Sequence, residues 1–321
     1  MTTAWFTLIA ALWSGYFLLE GFDFGVGILL PVLGRDERHR QALLATIGPV
    51  WDGNEVWLIT AGAATFAAFP DWYASLFSGF YLPLLLIIVA LILRGVALEY
   101  RGKRPDPAWR RRCDLAITGG SLVPALLWGL TLADLAHGVP LNAAHEYVGG
   151  PLRLLTPHAL LGGVATLGLF VTHGALFLAL KTTGDLRSRA RTLAGRIGLA
   201  TALPVLGFLA TLARGGVPVG LAALAIAALI GALLANRAAR EGWAFTGTAT
   251  AIVAIVATLF TGLYPNVLPS TISAANSLTV HNAAATPYTL LVITWVAVLF
   301  APLVLLYQGW TYWVFRRRIT A

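Results

Sequence analysis

The chain has 321 residues, of which 58% are hydrophobic and only 11% charged, and its mean hydropathy is +0.77. Those proportions exclude a water-soluble globular domain and a disordered chain, and they place most of the sequence in lipid. The net charge of +8 sits in short basic clusters between apolar stretches, so it reads as a topology signal; no nucleic-acid partner is expected.

The first apolar stretch, residues 5–33, has no basic leader and is longer than a signal-peptide core of about 7–15 residues. It is expected to remain as a first transmembrane helix. A span needs about 20 predominantly apolar residues, and eight more segments follow at 50–69, 73–100, 113–136, 157–180, 197–213, 217–236, 243–264 and 286–315. The expected fold is an all-α integral membrane protein with nine transmembrane helices, forming one polytopic domain over residues 1–321.

Basic residues alternate along this series. Arg35, Arg38 and Arg40 follow the first segment, and Arg101, Lys103, Arg104, Arg110, Arg111 and Arg112 follow the third. Lys181, Arg187, Arg189, Arg191 and Arg196 follow the fifth, Arg237 and Arg240 the seventh, and Arg316, Arg317 and Arg318 the last. Nineteen of the 22 Lys and Arg residues thus fall on one side, with Arg153 and Arg214 opposite and Arg94 inside a helix. The positive-inside rule predicts the N-terminus outside and the C-terminus in the cytoplasm. The outer connections at 137–157 and 265–285 read as loops. Trp5, Trp72, Tyr73, Tyr100, Trp109, Trp243, Tyr264, Trp310 and Trp313 fall near the predicted interfaces and read as membrane anchors. The single cysteine, Cys113, allows no intrachain disulfide and is expected as a free thiol in an inner connection.

Ionisable groups inside spans are costly, of order 2.5–3.5 kcal/mol at a helix centre, which makes each a functional candidate. Glu20 and Asp23 lie three apart on the first helix, and hence on one face; Asp52 and Glu55 repeat the spacing on the second, and Glu99 ends the third. At about 1.5 Å of rise per residue, Asp52 and Glu99 fall within a turn of the cytoplasmic surface, Glu55 about a turn deeper, and Asp23 and Glu20 near the middle. Two readings follow: a ladder that conducts protons inward, or groups that pair with Arg94 and brace the bundle.

The stretch GFDFGVG, residues 21–27, sets Gly21 and Gly25 at the small-xxx-small spacing of close helix packing. It lies within a membrane helix, so a dinucleotide fingerprint is excluded. Gly15, Gly21, Gly25 and Gly27 are also candidates for a face that meets a helical partner. His158 and His173 share the fifth helix about 22 Å apart. Bis-histidine haem ligation needs a second such helix, and His39, His137, His145 and His281 all fall in connections, so hydrogen-bonding roles are favoured for both.

PVWDGNEVWLITAGAATFAAFPDWYASLFSGFYLPL at 49–84, with GFDFGVG before it and RGVALEYRGK at 94–103 after it, closely resembles subunit II of cytochrome bd-type quinol oxidases. LYPNVLPSTI at 263–272 and WVAVLFAPLVLLYQGWTYW at 295–313 extend the resemblance over nearly the whole chain. The resemblance implies two four-helix bundles plus one peripheral helix, in a heterodimer of the bacterial cytoplasmic (inner) membrane. It implies that a larger subunit I carries two b-type haems and one haem d and oxidises quinol, while subunit II binds no haem and no metal and has no catalytic residue of its own. Oxygen would be reduced to water with cytoplasmic protons, electrogenically and without pumping. Asp23, Asp52 and Glu99 stand where relatives place proton-conducting carboxyls; Glu20 and Glu55 join the pathway on their depth alone. Small single-helix accessory subunits, lipid and quinone are further partners the resemblance allows. The competing readings are a proton-coupled secondary transporter, for which paired broken helices would be expected, and a scaffold that only supports subunit I.

Overall fold

The computed structural model describes residues 1–320. Eleven helices carry the chain: α1 (Thr2–Leu33), α2 (Glu37–Ile47), α3 (Trp51–Ala68), α4 (Pro70–Gly79), α5 (Tyr81–Tyr100), α6 (Pro107–His137), α7 (Pro157–Lys181), α8 (Gly184–Leu212), α9 (Gly216–Arg237), α10 (Glu241–Leu263) and α11 (Pro287–Val314). Among the described residues, eight are long and apolar enough to cross a membrane: α1 and α5 to α11. The chain is an all-α multi-pass membrane protein. The remaining expected span, 50–69, is α3, whose 18 residues reach about 27 Å. Asp52, Asn54 and Glu55 in its first turns lower its apolarity below that of the other eight.

Local chemistry sets the helix ends. Asp106, Thr156 and Thr286 cap α6, α7 and α11 with their side-chain oxygens, each followed by a proline at the first helical position, where its missing N–H costs nothing. The expected span 73–100 is broken at Phe80. Pro83 lacks the N–H that would bond the Gly79 carbonyl, so the chain restarts as α5. The expected sixth span, 197–213, begins thirteen residues earlier, at Gly184. A hydropathy reading registers only the part in hydrocarbon, whereas the helix continues through Arg187, Arg189, Arg191 and Arg196 into the polar zone. Likewise Arg110 to Arg112 lie on α6, and Cys113 is a buried residue of that helix instead of a loop thiol.

The long α1 is the pivot, packing against α3, α6, α7 and α10. Helices α7, α8, α9 and α10 touch in a closed ring, α5 packs on α6, and α11 rests mainly on α3. The approach of α1 to α7 depends on glycine: a Cβ on Gly25 would meet the Phe170 carbonyl and lie 2.8 Å from the Gly174 Cα. Gly21 faces Phe170, Gly15 faces Trp57 and Gly27 faces Ser121. These glycines are therefore spent on packing inside the chain, and the expectation that they meet a partner is corrected. The partner-free surface lies elsewhere: α11 is almost wholly exposed, as are Ile59 of α3 and Ile92 of α5.

Two of the expected interface anchors are also core residues. Trp72 is buried against Phe6 and Phe69, and Trp5 is buried while donating to Thr294 at 2.9 Å. Tyr100, Trp243, Tyr264, Trp310 and Trp313 stay exposed. The connections at 137–157 and 265–285 are more ordered than plain loops. A short antiparallel pair, β1 (Asn266–Leu268) and β2 (Leu278–Thr279), forms between α10 and α11. This connection is tied to the one between α6 and α7 by Val139 N–H donating to the Pro269 carbonyl and Thr271 N–H donating to the Val139 carbonyl, both at 3.0 Å.

Candidate functional site: a carboxyl cluster around Arg94

Arg94 lies at the heart of the site and is fully buried. Its Nη1 donates to Glu20 Oε2 at 2.7 Å and to Glu55 Oε1 at 3.0 Å, tying α5 to α1 and α3. The Phe24 ring, one turn beyond Glu20, lies 5.0 Å from the guanidinium carbon and adds a cation–π contact. Asp23, also fully buried, accepts from Asn54 Nδ2 at 2.6 Å. Asn54 is held in turn: its Oδ1 accepts from Gln308 at 3.0 Å and from Tyr312 at 2.8 Å. Four helices, α1, α3, α5 and α11, thus converge on one polar cluster. Glu20 Oε1, Asp23 Oδ1 and Arg94 Nη2 are buried without a protein hydrogen-bond partner. One guanidinium among three carboxyls leaves titratable capacity beyond the ion pairs.

The structure brings Glu20, Asp23 and Glu55 together and keeps Asp52 and Glu99 apart. Asp52 sits in the first turn of α3, exposed, and makes no hydrogen bond or ion pair among the described residues, so it is not a side-chain cap. Its charge still favours the helix N-terminus. Glu99 is exposed at the end of α5 and likewise unpaired. Of the five carboxyls, two are fully buried, one is partly buried and two are exposed, which is the order of their expected depths.

A groove of about 730 Å³ runs between α3 and α5, with Asp52 and Glu55 on its wall, Ile88 and Ile92 along its side and Trp13 and Trp128 at its floor. Glu55 is common to the groove and the buried cluster. Asn54, Gln308 and Tyr312 were not singled out from the sequence, although a lone Gln in the apolar run of α11 was a usable signal, since lipid exposure would leave its amide unsatisfied.

The histidines have other work. His173 is buried with Nδ1 2.7 Å from Thr248 Oγ1, Nε2 3.2 Å from the Leu18 carbonyl, and its ring stacked on Phe245. His158 has Nε2 3.2 Å from Asp134 and its ring stacked on His137. With both His173 nitrogens engaged, and that ring enclosed by packed side chains, these residues do not fit an axial haem ligand pair.

The cytoplasmic-type arginines also exceed a topology role. Arg101 donates two bonds to Glu37, at 2.9 and 3.0 Å, and two to Asp114, at 2.5 and 3.2 Å; Arg40 pairs with Asp114 at 3.1 Å and Arg110 with Glu37 at 3.2 Å. This network staples α2 to α5 and α6 beneath the site. The Arg101 hydrogen bonds hold the Glu37 carboxyl below the usual carboxylate range.

Residues 1–315 match the family of cytochrome bd terminal oxidase subunit II. The chain belongs to that family. This subunit II is 39% identical to the cytochrome bd ubiquinol oxidase subunit 2 of Bacillus subtilis, over 98% of this chain and 96% of the relative. It is 34% identical to the cytochrome bd-I ubiquinol oxidase subunit 2 of Escherichia coli, over 98% and 94%. Among solved structures, the bd oxidase from Geobacillus thermodenitrificans superposes with a TM-score of 0.79 over 98% of this chain and 96% of that one; at 18% identity this shows a shared fold. The family result favours the oxidase-subunit reading of subunit II over the transporter reading.

Proposed function

We propose that this chain is the haem-free member of a quinol:oxygen oxidoreductase in a bacterial cytoplasmic membrane, N-terminus outside, and that it conveys cytoplasmic protons toward a larger haem-bearing subunit. The reading of the helix pairings is two four-helix bundles, α1, α3, α5, α6 and α7 to α10, with α11 outside. The haems, two of b type and one of d type, belong on this reading to the partner, as does quinol oxidation. The apolar exposed face of α3, α5 and α11 is the surface proposed to receive it. Accessory single-helix subunits would sit beyond that pair.

The observation that carries the proton reading is Glu55, which lines the groove beside Asp52 and also bonds the buried Arg94. A proton arriving at Asp52 has one helical turn to travel to Glu55, then passes into the group of Glu55, Glu20 and Asp23. Arg94 and Asn54 orient the carboxyls, and Glu99 serves as a surface acceptor one turn beyond Gly95 of the groove wall. Asp52→Asn keeps the shape and removes the titratable group. In complex purified from its native membrane, that variant is expected to assemble and to reduce haem normally while oxygen reduction slows, more steeply as pH rises from 6 to 9; Asp52→Glu is expected to be milder. An unchanged rate across that range, with oxygen reduction limiting, would overturn the relay. Failure of any haem-bearing partner to co-purify would overturn the assembly reading.

A further inference from the structure

We infer that the inner end of α8 holds a specific anionic phospholipid, its phosphate ligated by Arg35, Arg189 and Arg196 and its acyl chains lying along Leu199 and Leu203. A groove of about 340 Å³ between the end of α1 and the start of α8 is lined by these three arginines together with Ser188, Thr192 and Leu193. The Ser188 and Thr192 hydroxyls donate to the Gly184 and Ser188 carbonyls, so the arginines, each offering a planar fork to phosphate oxygens, are the donors of the site.

The charge available there is largely unspent. Neither Arg35 nor Arg196 makes a side-chain hydrogen bond or ion pair among the described residues. Arg189 reaches the Val32 carbonyl at 3.3 Å and Asp185, the one carboxylate beside it, only at 3.7 Å. Three guanidiniums against one carboxylate leave a net positive site. By contrast, Arg101 and Arg187 elsewhere on the same end are fully engaged by Glu37, Asp114 and Glu241.

Helix geometry points to a lipid as the source of the phosphate. At about 100° per residue, Arg189, Arg196, Leu199 and Leu203 fall within roughly 80° of one another on α8. Leu199 and Leu203 lie about 5 and 10 Å along the axis from Arg196 toward the membrane centre, and they are 62% and 77% exposed. One helix face therefore changes from cationic to apolar in the order of a phospholipid's own headgroup and chains. A free phosphate would use the arginines and leave the leucine stripe without a role. Basic pockets between helices at the cytoplasmic side are where anionic headgroups bind.

The test is native mass spectrometry of the protein, purified from its membrane with any subunit it retains, in phosphatidylglycerol titrated against phosphatidylcholine. One phosphatidylglycerol should be held in preference to phosphatidylcholine, and millimolar inorganic phosphate should not displace it. Arg35→Gln combined with Arg196→Gln should weaken it about 25-fold, roughly fivefold for each arginine. Since these two side chains make no bond within the chain, the variant should fold, which an unchanged melting temperature confirms; Arg35→Lys with Arg196→Lys should retain much of the preference. Equal retention of the two lipids, an unchanged phosphatidylglycerol affinity in the Gln variant, displacement by inorganic phosphate, or a copurifying protein found on Arg196 by crosslinking would each overturn the assignment.

Discussion

Asn54 donates to Asp23 at 2.6 Å while Gln308 and Tyr312 both donate to its oxygen, so the orientation of this one amide is fixed from three sides. The consequence is that α11, otherwise in contact mainly with α3, is tied by side chains to the buried acid of α1. Replacing Asn54 with Leu is expected to leave the buried Asp23 and the partly buried Gln308 and Tyr312 without their partner, and to cost of order 1–3 kcal/mol for the buried carboxyl if it finds no new one. Thermal denaturation of the purified protein checks this; a melting temperature equal to wild type would mean that the amide is not needed.

Arg94 serves two carboxylates at once. Arg94→Leu should strand Glu20 in the bundle and destabilise by roughly 3–5 kcal/mol, or abolish accumulation altogether. Adding Glu20→Gln to that variant should recover part of the loss, because an amide is far cheaper to bury than an unpaired carboxylate. Comparing membrane yields and melting temperatures of the single and double variants measures the coupling. Purely additive effects would contradict a direct ion pair.

Glu37 gives a pH dependence with a definite sign. Its folded-state pKa is depressed chiefly by the Arg101 hydrogen bonds. The stabilisation is therefore complete above the unfolded carboxylate value of about 4.3 and lost as pH falls through the lower folded value. Melting temperature should drop on acidification below about pH 4.3, and Arg101→Gln should flatten that part of the profile. Glu37 is partly exposed, so the effect is modest and should shrink with added salt.

The exposed face of α3, α5 and α11 can be probed with a residue that lipid accepts and a fitted protein interface does not. Ile59→Trp, at a position 71% exposed in this chain, should leave the subunit folded but reduce recovery of the partner. Ile230→Trp on α9, 53% exposed, should leave recovery unchanged. Similar partner recovery in the two variants would move the interface elsewhere.

That the chain is a multi-pass helical membrane protein, and which acids stand out, was legible in the sequence, because apolar runs, charges interrupting them and motifs such as WDGN are local properties of neighbouring residues. The small-residue spacing of α1 was legible too, though not which surface Gly25 would serve. It took the packing of helices to show that Gly25 meets Gly174, that Glu20 and Glu55 share Arg94 while Asp52 and Glu99 stand outside, and that Gln308 and Tyr312 close the cluster around Asn54. Those pairings join residues from about 39 to about 258 positions apart, and helix periodicity carries no information on how one helix is rotated against another. Helix ends such as Gly184 were hidden for a related reason: hydropathy marks where hydrocarbon stops, whereas backbone hydrogen bonding continues along α8 until its own ladder runs out.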